Sequence, residues 1–215
     1  MMADLCGVIL AAGASSRMGR DKALLTWPAN ESSPAQSDNS TLLATHIAAL
    51  KPFARAIVVV AGQNADRLAP IVSAYGAVSA INPAPERGQF SSLQIGLGKA
   101  IDLGCDSAMI TPVDCAPLDQ ETLALLRAKF DEALARGKWA VAPHSNGRNG
   151  HPLFVSRELV DAFLEAPPTS NAREVKRVHY RRFVPVPVTI PNLVADINTP
   201  ADYAAIIALS QSRSD

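Results

Sequence analysis

Short β-branched runs alternate along the chain with longer stretches whose apolar residues recur at helical spacing. The runs are Gly7–Ala11, Ala56–Ala61, Ala77–Ile81, Ser107–Thr111, Trp139–Ala142 and Phe183–Val188. Helices are predicted near Leu42–Leu50, Asn64–Tyr75, Ser91–Leu103, Asp119–Ala135, Ser156–Leu164 and Pro200–Leu209. Strands that alternate with helices predict an α/β fold: a single doubly wound domain whose mixed, mainly parallel sheet is covered on both faces. The unbroken apolar run "AIVVVA" suits a strand buried on both sides. Sheets of this kind collect ligands outside the carboxyl ends of their strands, so the loops that follow strands are the places to look for chemistry.

Two segments fall outside the pattern. "PANESSPAQSDNS", Pro28 to Ser40, is polar, interrupted by proline and without period, and reads as a surface insertion between the first loop and the first long helix. The final "SQSRSD" reads as a frayed tail, which leaves residues 1–209 as the expected domain and 210–215 beyond it. No internal repeat recurs at the periods of roughly 20 to 50 residues that mark solenoids.

Charge and cysteine content narrow the function classes. The 215 residues carry 20 basic and 20 acidic side chains, so no global field recruits nucleic acid or an anionic membrane, and attraction for a charged ligand must be local. Cys6, Cys105 and Cys115 are odd in number, widely spaced and outside any CxxC or Cys/His cluster. That usage suits reduced thiols packed in a core better than disulfides or zinc. The run Gly7–Ala12 precedes its basic residues and is too short to span a bilayer, so no signal peptide is expected and the location expected is the cytoplasm.

The first loop follows directly, in "GVILAAGASSRMGRDKALL". Ala11, Ala12, Gly13 and Ala14 present backbone with almost no side chain, so a ligand can approach the peptide N–H groups closely. Arg17 can fork onto phosphate oxygens and Lys22 adds a compact charge on a flexible stem. Neither GxGxxG nor GxxxxGK[ST] is present, since the glycines are Gly13 and Gly19 and Arg20 follows the second. Taken by itself, the segment is equally a small-residue turn with solvated basic side chains.

"LAAGASSRMGRDK", Leu10 to Lys22, resembles the LAAGxSxRMGxxK signature of the nucleotidyltransferases related to the molybdenum-cofactor cytidylyl- and guanylyltransferases. Four further segments resemble that family in order. "GQFSSLQIGL" (Gly88–Leu97) is similar to its glycine-serine helix start, "TPVDCAPL" (Thr111–Leu118) to its PxDxPxL strand end, "GRNGHPLF" (Gly147–Phe154) to its GxxGHPxxF loop and "ADINTPADY" (Ala195–Tyr203) to its DIDTPxDY segment. The polar insertion is longer than the family pattern, and the late GAR segment is matched only loosely by Asn171-Ala172-Arg173.

The resemblance implies a Rossmann-like domain that uses Mg2+ to move a nucleoside monophosphate from a triphosphate to an acceptor phosphate, with release of pyrophosphate. It implies that Leu10, Ala11, Ala12, Gly13, Gly88, Ser91 and Ser92 seat the nucleotide. Arg17 and Lys22 would neutralise its phosphates, and Asp114 with Asp196 would hold the metal. The acceptor it implies is molybdopterin, and Leu10-Ala11-Ala12-Gly13 is as in the cytidylyl branch, whereas the guanylyl branch reads LAGG; CTP is therefore favoured over GTP. Read from the residues alone, Asp114 and Asp196 are equally turn or cap carboxylates at strand ends, and Ser91 and Ser92 are natural helix caps. His151 sits in a loop shaped by Gly150 and Pro152 and is a hydrogen-bonding scaffold before it is a substrate contact. Arg173 belongs to "AREVKRVHYRRF", whose five Arg/Lys form either a solvated face or contacts to an anionic second substrate. Two other readings stay open: transfer to a sugar, polyol or small organic phosphate, and a nucleotide-binding module without turnover.

Overall fold

The computed structural model describes residues 4–27, 40–190 and 193–211. The chain begins at the centre of the sheet with β1 (Leu5–Leu10). The short strands β2 (Thr26–Trp27) and β3 (Ser40–Thr41) follow, then α1 (Leu42–Leu50), β4 (Ala56–Ala61), α2 (Ala65–Ala74) and β5 (Val78–Ile81). It next returns across β1 through α3 (Gln89–Asp102) to β6 (Ser107–Pro112), and α4 (Gln120–Leu134) leads to β7 (Ala140–Ser145). After β8 (Arg148–Asn149) and β9 (Leu153–Val155) come α5 (Arg157–Glu165), α6 (Ala172–Val178), β10 (Phe183–Pro187) and α7 (Pro200–Gln211).

The main sheet has the order β10-β7-β9-β6-β1-β4-β5, with β8 paired to β7. Pairs β1–β4, β1–β6, β4–β5 and β7–β10 are parallel, and β9 runs antiparallel between β6 and β7. This is the doubly wound, mainly parallel mixed sheet expected from the alternation of elements. Pro185 and Pro187 lie on the edge strand β10, where a missing N–H costs no ladder bond.

Period-two alternation divides the core between the two faces. Leu5 and Ile9 of β1 with Ile57 and Val59 of β4 meet Leu43 and Ile47 of α1 and Leu126 and Phe130 of α4. Cys6, Val8 and Leu10 with Val58 and Val60 meet Leu93 and Leu97 of α3 and Leu159 and Phe163 of α5. Gly96 sets how closely α3 lies on the sheet, because a Cβ there would come within 2.6 Å of Val8 and 2.7 Å of Val60.

Four strands escape the apolar pattern: β2, β3, β8 and β9. Each has two or three residues, too few to show a period, and β9 is fixed instead by its neighbours on both sides. The charged run read as a possible solvated face contains α6, a helix in which Val175 alone is buried. Residues 28–39 of the polar insertion lie outside the described residues, while Ser40 opens β3, which pairs back onto β2. Helix α7 continues to Gln211, past the expected domain boundary, and residues 212–215 lie outside the description.

The cysteine reading needs correction. Cys6 and Cys105 form a disulfide across a sequence separation of 99 residues, and only Cys115 is a free, buried thiol. The parallel pairing of β1 with β6 places Cys6 beside the residues that enter β6, a proximity that spacing along the chain hides. No helix among the described residues is long and apolar enough to cross a membrane.

Candidate active site

The order of the strands locates the site. From β1 the chain moves to β4 and β5 on one side, then reverses to β6 on the other, and such a reversal opens a crevice at the carboxyl ends of the strands. Leu10, Ala11, Ala12, Gly13, Lys22, Gly88, Ser92 and Asp114, all named from the sequence, line one open cleft at this point. A Cβ added at Gly13 or Gly88 would meet nothing within 4 Å, so both backbones face open space, and Gly88 holds φ at 94°, where glycine carries no steric penalty.

Backbone and amide hydrogen bonds hold the loop in shape. Ala11 N–H donates to Val60 O at 2.8 Å and Val113 N–H to Leu10 O at 3.0 Å, which ties the loop to both neighbouring strands. The Asn64 amide donates to Ala11 O at 3.0 Å and to Asp21 Oδ2 at 2.8 Å, while its Oδ1 accepts from Gly62 N–H at 3.0 Å. The buried Asp21 also accepts from Ala23 N–H at 3.1 Å and so caps the short turn that carries Lys22. On the opposite wall, the buried Asn82 donates to Ser91 Oγ and Ser92 Oγ, each at 2.9 Å, and Ser91 Oγ donates to Gly88 O at 2.8 Å. Ser92 is part of the cleft lining and Ser91 is not; the Ser91 hydroxyl joins Asn82 to Gly88 O at the start of α3.

Charged groups converge beyond β6. Lys22 Nζ lies 3.0 Å from Asp114 Oδ2 and 3.1 Å from Asn198 Oδ1, and the exposed Arg17 donates to the same Asn198 oxygen at 3.0 Å. The segment before α7 docks here through Ile197 N–H to Asp114 O at 2.8 Å and a bridge between Cys115 and Asp196. Potential ligand atoms of Asp114, Cys115 and Asp196 all fall within 4.8 Å of one another. Partial burial, and then the facing Asp114, raise the Asp196 carboxyl above its ordinary range although the residue stands exposed at the rim. Burial drives the Cys115 thiol well up, so it stays protonated and donates to Asp196 Oδ1 at 3.7 Å. Asp202 accepts from Asn198 N–H and Thr199 N–H while Thr199 Oγ1 accepts from Asp202 N–H, a reciprocal cap that fixes Asn198 at the start of α7.

Two neutral histidines brace the strand end that carries Asp114. His46 of α1 is buried and donates through Nε2 to Cys115 O at 3.0 Å; His151 approaches Ile110 O through Nδ1 at 3.3 Å. Burial lowers each to about 4, so both are uncharged at neutral pH. His151 thus takes the scaffold position, and it lines a small internal space with His46 rather than the cleft. Arg173 projects from an exposed face of α6 and is not part of the cleft lining.

The residues that sequence reasoning missed are Asp21, Asn64, Asn82, His46 and Asn198. Asn64 and Asn82 each follow a strand, and Asn198 stands within "ADINTPADY" where the family pattern has Asp, so these three carried a positional signal. His46 carried none, since it sits within the apolar stretch of α1.

Residues 7–183 match the family described as the MobA-like NTP transferase domain. Molybdenum cofactor cytidylyltransferase of Escherichia coli (strain K12) is 27% identical over 199 residues, which cover 91% of this chain and 92% of that protein. Among solved structures, the homologue of Mycobacterium tuberculosis Rv0371c from Mycobacterium sp. strain JC1 superposes with a TM-score of 0.73 at 23% identity over 100% of both chains. Rv0371c of Mycobacterium tuberculosis H37Rv, solved in complex with manganese, gives 0.68 at 18% identity over 95% of this chain and 98% of that one. These two likenesses show the fold. The family match spans most of the chain, so the chain belongs to the MobA-like NTP transferase family and is a nucleotidyltransferase, cytidylyltransferase-like and related to molybdenum cofactor cytidylyltransferase.

Proposed function

We propose that the protein transfers CMP from CTP to molybdopterin, a phosphorylated acceptor, with Mg2+ as cofactor and pyrophosphate as the leaving product. The observation that carries this reading is the convergence of Lys22, Asp114, Asp196 and Asn198 at the open end of the small-residue cleft. The donor set suits a hard cation. Burial, and then the nearby Asp114, make Asp196 resist ionisation, and a divalent cation held by the two carboxylates would relieve that cost. Cys115 is not a ligand in this scheme, because Mg2+ takes oxygen donors rather than sulfur. Asp114 and Asp196 would hold the Mg2+, which would supply charge neutralisation for the triphosphate.

The chain's own residues do the rest. Ala12 and Gly13 on the loop after β1 and Ser92 at the start of α3 line the cleft and would contact the nucleotide. Lys22 and Arg17, which share the Asn198 oxygen, carry the mobile cationic ends that the β- and γ-phosphates would engage. An acceptor phosphate oxygen forms the new bond to the α-phosphorus as the bond to the pyrophosphate oxygen breaks. An acceptor phosphate is already a nucleophile, so the protein's task is positioning and charge stabilisation, and no covalent intermediate with the enzyme is needed. His46 and His151 keep Asp114 in place without exchanging protons.

The test is pyrophosphate release measured with CTP and GTP, with and without Mg2+, against molybdopterin and against sugar and polyol phosphates. Release that requires molybdopterin and favours CTP supports the proposal. Preference for GTP or for a polyol phosphate reassigns the substrate, and binding without release in every combination reduces the chain to a nucleotide-binding module.

A further inference from the structure

One of the two carboxylates that would hold the metal already carries a cation of the protein's own. Lys22 Nζ lies 3.0 Å from Asp114 Oδ2, with 12% of the lysine side chain and 27% of the aspartate side chain exposed. Asp114 is also the carboxylate that the candidate metal cluster shares with Asp196. An ammonium at hydrogen-bond distance and a magnesium ion at about 2.1 Å cannot take the same oxygen along the same direction. A metal on the other Asp114 oxygen still stands beside a like charge in a partly buried place, where water screens the repulsion poorly. While Lys22 sits on Asp114, the pair of carboxylates attracts a second cation only weakly.

The remaining contacts of Lys22 show how it can leave. Its ammonium also donates to Asn198 Oδ1 at 3.1 Å, and Arg17 donates to the same oxygen at 3.0 Å. Lysine and arginine only donate, so the amide presents its oxygen to both. Asn198 thus holds the two cations side by side without neutralising either, which a carboxylate at this position would do. The backbone beneath is fixed, since Lys22 N–H donates to Ser15 Oγ at 3.2 Å and Asp21 caps the turn through Ala23 N–H at 3.1 Å. The four-carbon stem is therefore the part that can swing, and it carries the charge with it.

We infer that Lys22 guards the metal site, its ammonium keeping the place of a cation on Asp114 until a polyphosphate draws it away. A triphosphate offers the ammonium several anionic oxygens in exchange for one, and the released carboxylate then meets the metal with its full charge. Nucleotide and metal binding are coupled in this way, each raising the affinity for the other. A divalent cation without nucleotide binds weakly. The inference concerns the regulation of the proposed metal site and rests on the reading of Asp114 and Asp196 as its ligands.

Mn2+ titrations followed by electron paramagnetic resonance test it, with the Mn2+ held by CTP alone subtracted. In wild-type protein CTP tightens Mn2+ binding by about tenfold or more, as in other coupled sites. In Lys22→Met and in Lys22→Gln the nucleotide-free Mn2+ Kd falls by about tenfold as the like charge is removed, and the further gain from CTP shrinks by about the same factor. Lys22→Arg keeps the weak nucleotide-free binding. Adding Asp114→Asn to Lys22→Met abolishes the tight binding, which locates it at Asp114. Wild-type protein that binds Mn2+ with CTP, alongside an unchanged nucleotide-free Kd in both neutral variants, overturns this inference alone. Binding tightened equally with and without CTP also overturns it, by showing that the lysine never leaves Asp114, and so does tight binding that survives in the double variant. Wild-type protein that binds no Mn2+ even with CTP overturns the metal reading and this inference with it.

Discussion

The two halves of the cleft are made of different material. On the half proposed for the nucleotide the cleft is lined by residues with little or no side chain, Ala11 to Gly13 and Gly88, and Asn64, Asp21 and Asn82 work from behind to hold their peptides still. On the other half the groups that converge come from elements far apart in the chain, Asp114 at the end of β6 and Asp196 and Asn198 from the segment before α7. A triphosphate is the same in every nucleotide, so it can be met by one continuous strand–loop segment whose geometry is fixed in advance. A particular acceptor has to be met by chosen side chains, and these can come from anywhere the fold brings them together.

The sharpest way to break this contrast is at Asp114, which both halves share. Asp114→Asn should leave the fold intact, with Tm within a few degrees, and cut pyrophosphate release by about a thousandfold, since several kcal/mol of charge stabilisation depend on the carboxylate. Near-normal turnover in the folded variant would remove Asp114 from the reaction.

A second test compares the braces on either side of β6. His46 and His151 each titrate near 4 in the folded protein against about 6.5 when unfolded. As pH falls through that window the unfolded chain takes up protons first, so stability declines between about pH 6.5 and 4 and changes no further below it on their account. The loss is at most roughly 3 kcal/mol for the buried His46, and less for His151, which keeps some exposed surface. Urea unfolding at pH 7 and pH 4.5 should show the decline, and His46→Gln or His151→Gln should each flatten it. A wild-type profile that is already flat would show that neither ring is held neutral.

The same division explains what the sequence disclosed. The cleft wall proposed for the nucleotide was legible because a buried strand, a run of small residues and two cations lie within Gly7–Lys22, and because Gly88 to Ser92 opens an amphipathic helix. Asp114 was legible as the carboxylate that ends the apolar run of β6. The far edge of the sheet was less legible: β8 and β9 are too short for a period, and α6 buries Val175 alone. Asn198 was hidden for another reason. It comes from a segment 84 residues beyond Asp114, and its role exists only because Ile197 docks on the strand end and delivers the amide to Lys22 and Arg17. The Cys6–Cys105 disulfide is the same lesson in the core, since parallel register joins what 99 residues of chain separate.

The smallest expected effect sharpens base choice. Ala12 lines the cleft with its methyl group largely buried. If that methyl crowds a purine, Ala12→Gly narrows the CTP-over-GTP ratio of kcat/KM by roughly tenfold, within the ~1 to 3 kcal/mol that one methyl-sized difference can contribute. The Mg2+ requirement should not move. A ratio unchanged by the substitution would place base choice on the facing wall, in Pro83–Ser92.

The central claim, that Asp114 and Asp196 hold a divalent cation together with the nucleotide, is tested most directly by Mn2+ binding followed by electron paramagnetic resonance with and without CTP. The expected result is tight binding of one Mn2+ in the presence of CTP, lost in Asp114→Asn and weakened in Asp196→Asn. Mn2+ binding in the CTP complex that is the same in wild-type protein and in both variants would contradict it.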